Sequence, residues 1–469
     1  MSKCCWASVA VMTAIAAGAG GEPVAERLVS AKSVDGSFIS WREHIVDDSA
    51  VGRLALSGSD GLTGGDLDRD GYEDFVSVHE SDTTYHGKPI GQVRIAWGSE
   101  DAGRWELTTL ASGIEAAAAE DVDIADANGD GYPDVVVACE LAHLVYFENP
   151  GVAARSTSWK RIIPPITADR GSYIRVFFAD LDADGRPEVV AANKGEQNPD
   201  RATPEINNIS LFTLPEDPLD GSRWREQVLG KVRIPINSKP VDLDGDGDLD
   251  VVGGSRGEAR ILWFENRGAL AFVERRIDIE GPDVGFTGFN MAFADLDDDG
   301  RLDILTNGAG GRLLWLRQPD HPDEPWSLSV LGDTAPDALV SITLADIDGD
   351  GDLDAFTGTY SWGPRDHDGA DIDAAAPIGR IAWFENGGMT EPWPRHDISR
   401  RKRGMYDKWL ARDLDGDGDF DFIGTRGNSA PYDGVIWLEQ VRGPKPRRAF
   451  EAARREDSME MPLPHSPRD

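Results

Sequence analysis

Cysteine is nearly missing from this chain, with three in 469 residues. Cys4 and Cys5 fall in a leader expected to be removed, which leaves Cys139 alone and excludes an intrachain disulfide. Cys139 ends the apolar run Val135-Val136-Val137-Ala138-Cys139 and reads as a buried core thiol. Long apolar runs are missing too. Residues 6–17 form a short one, and no later stretch approaches the ~20 residues that a membrane-spanning helix needs. Basic charge is in deficit: Lys+Arg total 47 against 84 Asp+Glu, a formal net charge of −37. Binding to nucleic acid rests on neutralising phosphates, so that class of partner is excluded. No H-E-x-x-H, P-loop or C-x-x-C motif occurs. A G-x-S-x-G match at 253–257 precedes a strand pattern, not the helix that a nucleophile elbow requires.

What is present points to a folded β protein. Hydrophobic residues make up 40%, with 14 Trp and 16 Phe, too many for an acidic disordered chain. Gly 52 and Pro 28 favour short strands and many turns. The length allows several domains or one large repeat fold. Residues 1–19 read as a signal peptide. Lys3 gives the positive start and Ala17-Gly18-Ala19 the small-residue cleavage site, so a secreted, periplasmic or cell-surface location is expected. Residues 443–469 mix Pro with Arg-Arg pairs and read as a disordered, solvated tail.

A nine-residue pattern, D-x-D-x-D-G-x-x-D, occurs seven times at intervals of 51–67 residues, the signature of a propeller or solenoid. Each copy leads into a β-branched run. A second strand then carries an aromatic at one register: Trp97, Tyr146, Phe212, Trp263, Trp315, Trp383 and Trp437. Several of these strands end in a Glu-Asn or Glu-Gln turn, as at Glu148-Asn149 and Glu439-Gln440. A third strand opens with Trp or Phe, and a short strand precedes each acidic loop. Four strands per unit, here A to D with the acidic loop between A and B, make a propeller blade. Those aromatics read as packing between blades. The first strand D, around Trp41, precedes the first loop, and the last unit lacks one. The prediction is an all-β, seven-bladed β-propeller over 38–440, closed by the N-terminal strand, which removes exposed sheet edges.

The loops offer oxygen ligands on one side of a tight turn, with Gly at position 6 for the backbone reversal. The ligand positions hold Asp66, Asp68, Asp70 and Asp74; Asp126, Asn128, Asp130 and Asp134; Asp180, Asp182, Asp184 and Glu188; Asp242, Asp244, Asp246 and Asp250; Asp295, Asp297, Asp299 and Asp303; Asp346, Asp348, Asp350 and Asp354; Asp413, Asp415, Asp417 and Asp421, all acids except Asn128. Carboxylates this close repel without a cation, and all-oxygen ligation suits Ca²⁺, up to one per blade. Loop position 12 holds no Glu in any copy, which excludes an EF-hand. The run from Asp242 to Asp250 with its Val-Val strand, followed by Ile261-Leu262-Trp263-Phe264-Glu265-Asn266, resembles the FG-GAP/VCBS repeat family, bacterial secreted type. The resemblance implies secreted or surface calcium-binding propellers, as in integrin α-subunit heads. It implies no single function, because adhesion, glycan binding and rhamnogalacturonan-type lyase activity all occur on such blades.

The face opposite the acidic loops is the expected ligand face. Five residues before each loop stand polar or glycine positions, among them Arg175, Asn290 and Lys408. Just past strand B stand His79, Glu140, Lys194, Arg256, Tyr360 and Arg426. With Lys239, Tyr173 and His143 nearby, the cations suggest a funnel for an anionic or polyhydroxylated ligand. They read equally as a solvated channel mouth. Two functions follow: a binding or scaffold module for an acidic glycan or protein ligand, or a lyase on uronic-acid glycans. The lyase would need a cation such as Arg175 or Lys194 and a base such as Tyr173, His79 or His143.

Overall fold

The computed structural model describes residues 21–464, except 82–86, 88–89, 142, 322–323, 362–367, 370–371, 390–391 and 456. The expected signal peptide lies outside these residues. Seven sheets follow one another along the chain, and in the first six the antiparallel strands A to D come in sequence order. Blade 1 is Ser59–Gly65, Asp74–His79, Gln92–Trp97 and Glu106–Ser112. Blades 2 to 6 repeat this order. Blade 7 takes A to C from Trp409–Arg412, Asp421–Arg426 and Gly434–Gly443, and its fourth strand is Phe38–Asp48. That strand pairs antiparallel with Gly434–Gly443, from Phe38↔Gly443 to Asp48↔Gly434, so the N-terminal strand closes the ring as expected. No described helix is long and apolar enough to cross a membrane.

Packing explains the sequence pattern. Strand B is sandwiched between neighbouring blades and is buried along its whole length in blades 1 to 4 and 7. Its pattern is therefore a continuous apolar run rather than an alternation. All seven strand-C aromatics are buried, from 0% exposure at Trp97, Tyr146 and Phe212 to 3% at Trp437. Each such burial contributes about 1.5–3 kcal/mol. The clusters they join cross blade boundaries: one holds Trp97 of blade 1 together with Val145 and Phe147 of blade 2. Cys139 lies in that cluster, and burial raises its thiol pKa.

Strand A carries a repeated irregularity. In blades 2, 3, 4 and 6 the ladder with strand B skips one residue, Glu120, Ile174, Ile236 and Val340 respectively. Blades 1 and 5 have wider interruptions, across Asp60 and Phe289. These residues all stand six before the acidic loop. An extra residue in one strand turns its side chain away from the face that strict alternation assigns.

The segment from 443 onward is not a solvated tail within the described residues. Phe450–Glu451 adds a parallel edge against Trp41 and Arg42, and Phe450 is 4% exposed. Asp457 pairs with Arg426 (2.6 Å) and lies 3.8 Å from Arg401, while Glu460 also reaches Arg401 at 3.3 Å. The acids of this segment neutralise arginines buried under it. Its Arg-Arg composition concealed that pairing. Pro23 bridges to Pro462, so the two described ends meet beside the closing blade.

Candidate functional site

Two faces carry polar chemistry, and strand A connects them. On one lie the acidic loops. In every loop the glycine at position 6 has φ between +87° and +100°, a left-handed turn that favours glycine. In the first loop, Asp66 accepts hydrogen bonds from the backbone N–H groups of Asp70 and Gly71, each at 3.1 Å. Asp70 accepts the N–H of Tyr72 at 3.0 Å. These bonds turn the carboxylates inward. One oxygen each from Asp66, Asp68 and Asp70 lies within 4.8 Å of the others, and the same holds for Asp242, Asp244 and Asp246, for Asp295, Asp297 and Asp299, and for Asp180, Asp182 and Glu188.

The ninth loop position has a second task. Asp74 accepts N–H groups from Leu67 (2.9 Å) and Gly98 (2.8 Å), tying the loop to the end of strand C. Asp134, Asp250, Asp303, Asp354 and Asp421 repeat the second bond, to Asn149, Asn266, Gln318, Asn386 and Gln440. The strand-C aromatics join in: Tyr146 Oη donates to Asp134 and Trp263 Nε1 to Asp250. The Glu-Asn and Glu-Gln turns have a further role. The side-chain amides of Asn149, Asn266 and Gln318 donate to Leu67, Leu181 and Leu243 in the loop of the preceding blade. Burial pushes the ninth-position acids up, to about 7 at Asp74, Asp134, Glu188 and Asp250 and about 8 at Asp354 and Asp421.

The loops fit a hard cation. Asp242 Oδ1 is buried with no hydrogen-bond partner, in a cluster offering only oxygen. Two loops also carry their own counter-charge. Arg155 reaches Asp68 and Asp70 in the first, and Arg317 and Arg301 reach Asp297 and Asp299 in the fifth.

On the opposite face a cavity of about 730 Å³ opens around the axis. Six of the seven residues six places before the loops line it: Asp60, Glu120, Ile174, Phe289, Val340 and Asp407. The predicted residues Glu140, Lys194, Arg256 and Tyr360 line it as well. Below it, a channel of about 360 Å³ holds Arg175, Lys239, Asn290 and Lys408. Burial and the nearby Lys408 push the Lys239 ammonium down to about 8. The other four expected residues are elsewhere. His79 is buried between Ser59 (2.7 Å) and Ser77 (3.0 Å), and burial pushes it down to about 3. His143 meets the carbonyl of Glu115. Tyr173 packs in the core, where burial pushes its phenol up to about 12. Arg426 is fully buried against Asp457.

The cations do not form an open anionic funnel. Arg175 donates to Asp407 and Asn290, each at 3.2 Å, and lies 3.7 Å from Glu120. Lys194 pairs with Glu140. Arg256 makes no ion pair among the described residues and stacks over Phe289, 5.4 Å from the ring centre. Sequence reasoning chose the ring five before the loop and missed Asp60, Glu120, Phe289 and Asp407 one residue earlier. The recurring acid at that offset was the available signal.

Residues 66–137 and 242–306 match the family model of the FG-GAP-like repeat. No curated protein matches the chain. Among solved structures, YCF48 from Cyanidioschyzon merolae is similar over 85% of this chain and 98% of its own, with TM-score 0.50 and 10% identity. A BBS1N chain, solved in complex with ARL6DN, is similar over 83% of this chain and 94% of its own, with TM-score 0.45 and 7% identity. The likeness to YCF48 concerns the fold alone.

Proposed function

We propose that this propeller of FG-GAP-like repeats is an exported, calcium-stabilised binding module that seats a polyhydroxylated ligand on the face away from its acidic loops. One observation carries the ligand seat: five of the six interrupted strand-A positions, joined by Asp407 before strand A of blade 7, converge on a single cavity. Its wall alternates acceptors (Asp60, Glu120, Asp407) with donors (Arg256 and Asn307) beside the Phe289 ring. That mixture suits the hydroxyls and apolar faces of a saccharide, and buried polar walls discriminate strongly against ligands lacking the matching groups. A polyanion is disfavoured, since Arg175 and Lys194 already face carboxylates. The lyase alternative is weakened. Its three candidate bases, His79, His143 and Tyr173, do not line the cavity.

In the loops, Ca²⁺ would be held by positions 1, 3 and 5, with position 9 tying the site to the blade. The bound ion would supply the charge that lets these carboxylates sit together.

Glycan-array binding with R256A and Y360A tests the seat. Neutral oligosaccharides should bind the parent chain, and each variant should lose at least tenfold with an unchanged calcium-dependent melt. Affinity should change little between 0.1 and 1 M salt, although the Debye length falls from ~10 to ~3 Å. Steep salt dependence and a preference for uronate polymers would restore the anionic funnel. Rising absorbance near 235 nm on uronates would restore the lyase. Separately, EDTA should lower the melting temperature by several degrees, since each site at 100 times its Kd adds about 2.7 kcal/mol.

A further inference from the structure

The loop motif repeats seven times, but the described residues also hold an acidic cluster on the other face. Asp60, Glu80 and Glu120 bring one carboxylate oxygen each within 4.8 Å of one another, and all three are buried. They come from two blades. Asp60 and Glu120 are bulged strand-A residues, and Glu80 follows strand B of blade 1. The bulge is what aims Asp60 and Glu120 at the axis.

A fourth carboxylate supplies an independent sign of a ligand. Glu140 is 3% exposed and lines the same cavity as Asp60 and Glu120. Its Oε1 takes the Lys194 ammonium, while Oε2 is buried with no hydrogen-bond partner. Glu120 feels the group strongly. Burial, then Glu140 and Glu80, hold its carboxyl well above the usual range, against the pull of Lys194 and Arg175. Arg175 meets Glu120 and Asp407, Lys194 meets Glu140, and Arg256 also feels Glu120 and Glu140.

We propose that Asp60, Glu80 and Glu120, with Glu140 beside them, hold one hard divalent cation in the mouth of the channel, separate from the loop sites. An all-carboxylate donor set suits Ca²⁺, and Mg²⁺ less well, because Mg²⁺ demands near-ideal octahedral geometry and keeps its waters. The site would place a cation on the floor of the proposed ligand seat, where saccharide hydroxyls could complete its shell. The cation itself does not depend on that seat: the inference stands or falls on metal counting, without any glycan.

The test compares bound calcium in the folded full chain with E120Q and D60N, by equilibrium dialysis against calcium chloride and elemental analysis. Each variant should lose one equivalent and keep the rest. Melting supplies a second reading. In EDTA, E120Q should melt close to the parent chain, because no bound ion is lost. In saturating calcium it should melt below. If one variant fails to fold, the other carries the count. An unchanged calcium equivalent in a folded variant, or an equal melting shift with and without calcium, would overturn the proposal and leave a protonated acid cluster.

Discussion

The ninth loop residue does two jobs with one carboxylate, and its titration separates them. Burial holds Asp74, Asp134 and Asp250 near 7 and Asp354 and Asp421 near 8, far above the ordinary 3.8. Without metal, the folded chain therefore keeps protons that the unfolded chain releases above about pH 4. Stability from these groups is full at low pH and is lost as pH rises through 7 to 8. In EDTA the melting temperature should fall between pH 6 and 8.5. Calcium needs the ionised form, so the gap between loaded and metal-free melts should widen over the same window. A metal-free melt that is flat or rising there would contradict this account. Much of this chemistry was legible in the residues themselves: acid spacing and the glycine at position 6 revealed the loop. What the sequence did not reveal was that position 9 would spend an oxygen on a backbone N–H at the end of strand C, because that donor lies more than a dozen residues away.

At the level of strands, the repeats announced A to D by apolar runs and by one aromatic register, and all seven of those aromatics are buried. The bulge in strand A was not legible. A one-residue insertion leaves hydrophobic content unchanged while reassigning which side chain meets the axis. Counting at a fixed offset therefore found Arg175 and Lys408 but passed over Glu120 and Asp407. The C-terminal segment was misread for a related reason. Its partners, Arg401 and Arg426, are distant in sequence, and a charge reads as solvated until its counter-charge is located. Removing one member of a buried pair leaves the other uncompensated, at a cost of about 3–5 kcal/mol. D457N should destabilise the chain by that order in urea unfolding, since Asp457 is the one carboxylate paired with Arg426 among the described residues. A loss under about 1 kcal/mol would mean that the segment merely rests on the blade.

Across the whole ring, each blade leans on its neighbours through buried aromatics. Amides such as Asn149 also reach back to the preceding loop, so stability is shared around the circle. Fourteen positive charges from seven bound calcium ions would bring the formal charge from −37 to −23, easing self-repulsion in a strongly acidic molecule. The bridge between Pro23 and Pro462 has a further consequence. Backbone partners in such a bridge lie roughly 5 Å apart, so a short peptide can join them. The order of blades along the gene is then arbitrary with respect to the architecture: a circularly permuted chain, linked there and opened at the exposed turn around Gly388, should fold to the same ring. Its blade 7 would be made from one continuous stretch of polypeptide, and a permutant that still binds calcium and ligand would show that the sequential order of the repeats is historical, not mechanical.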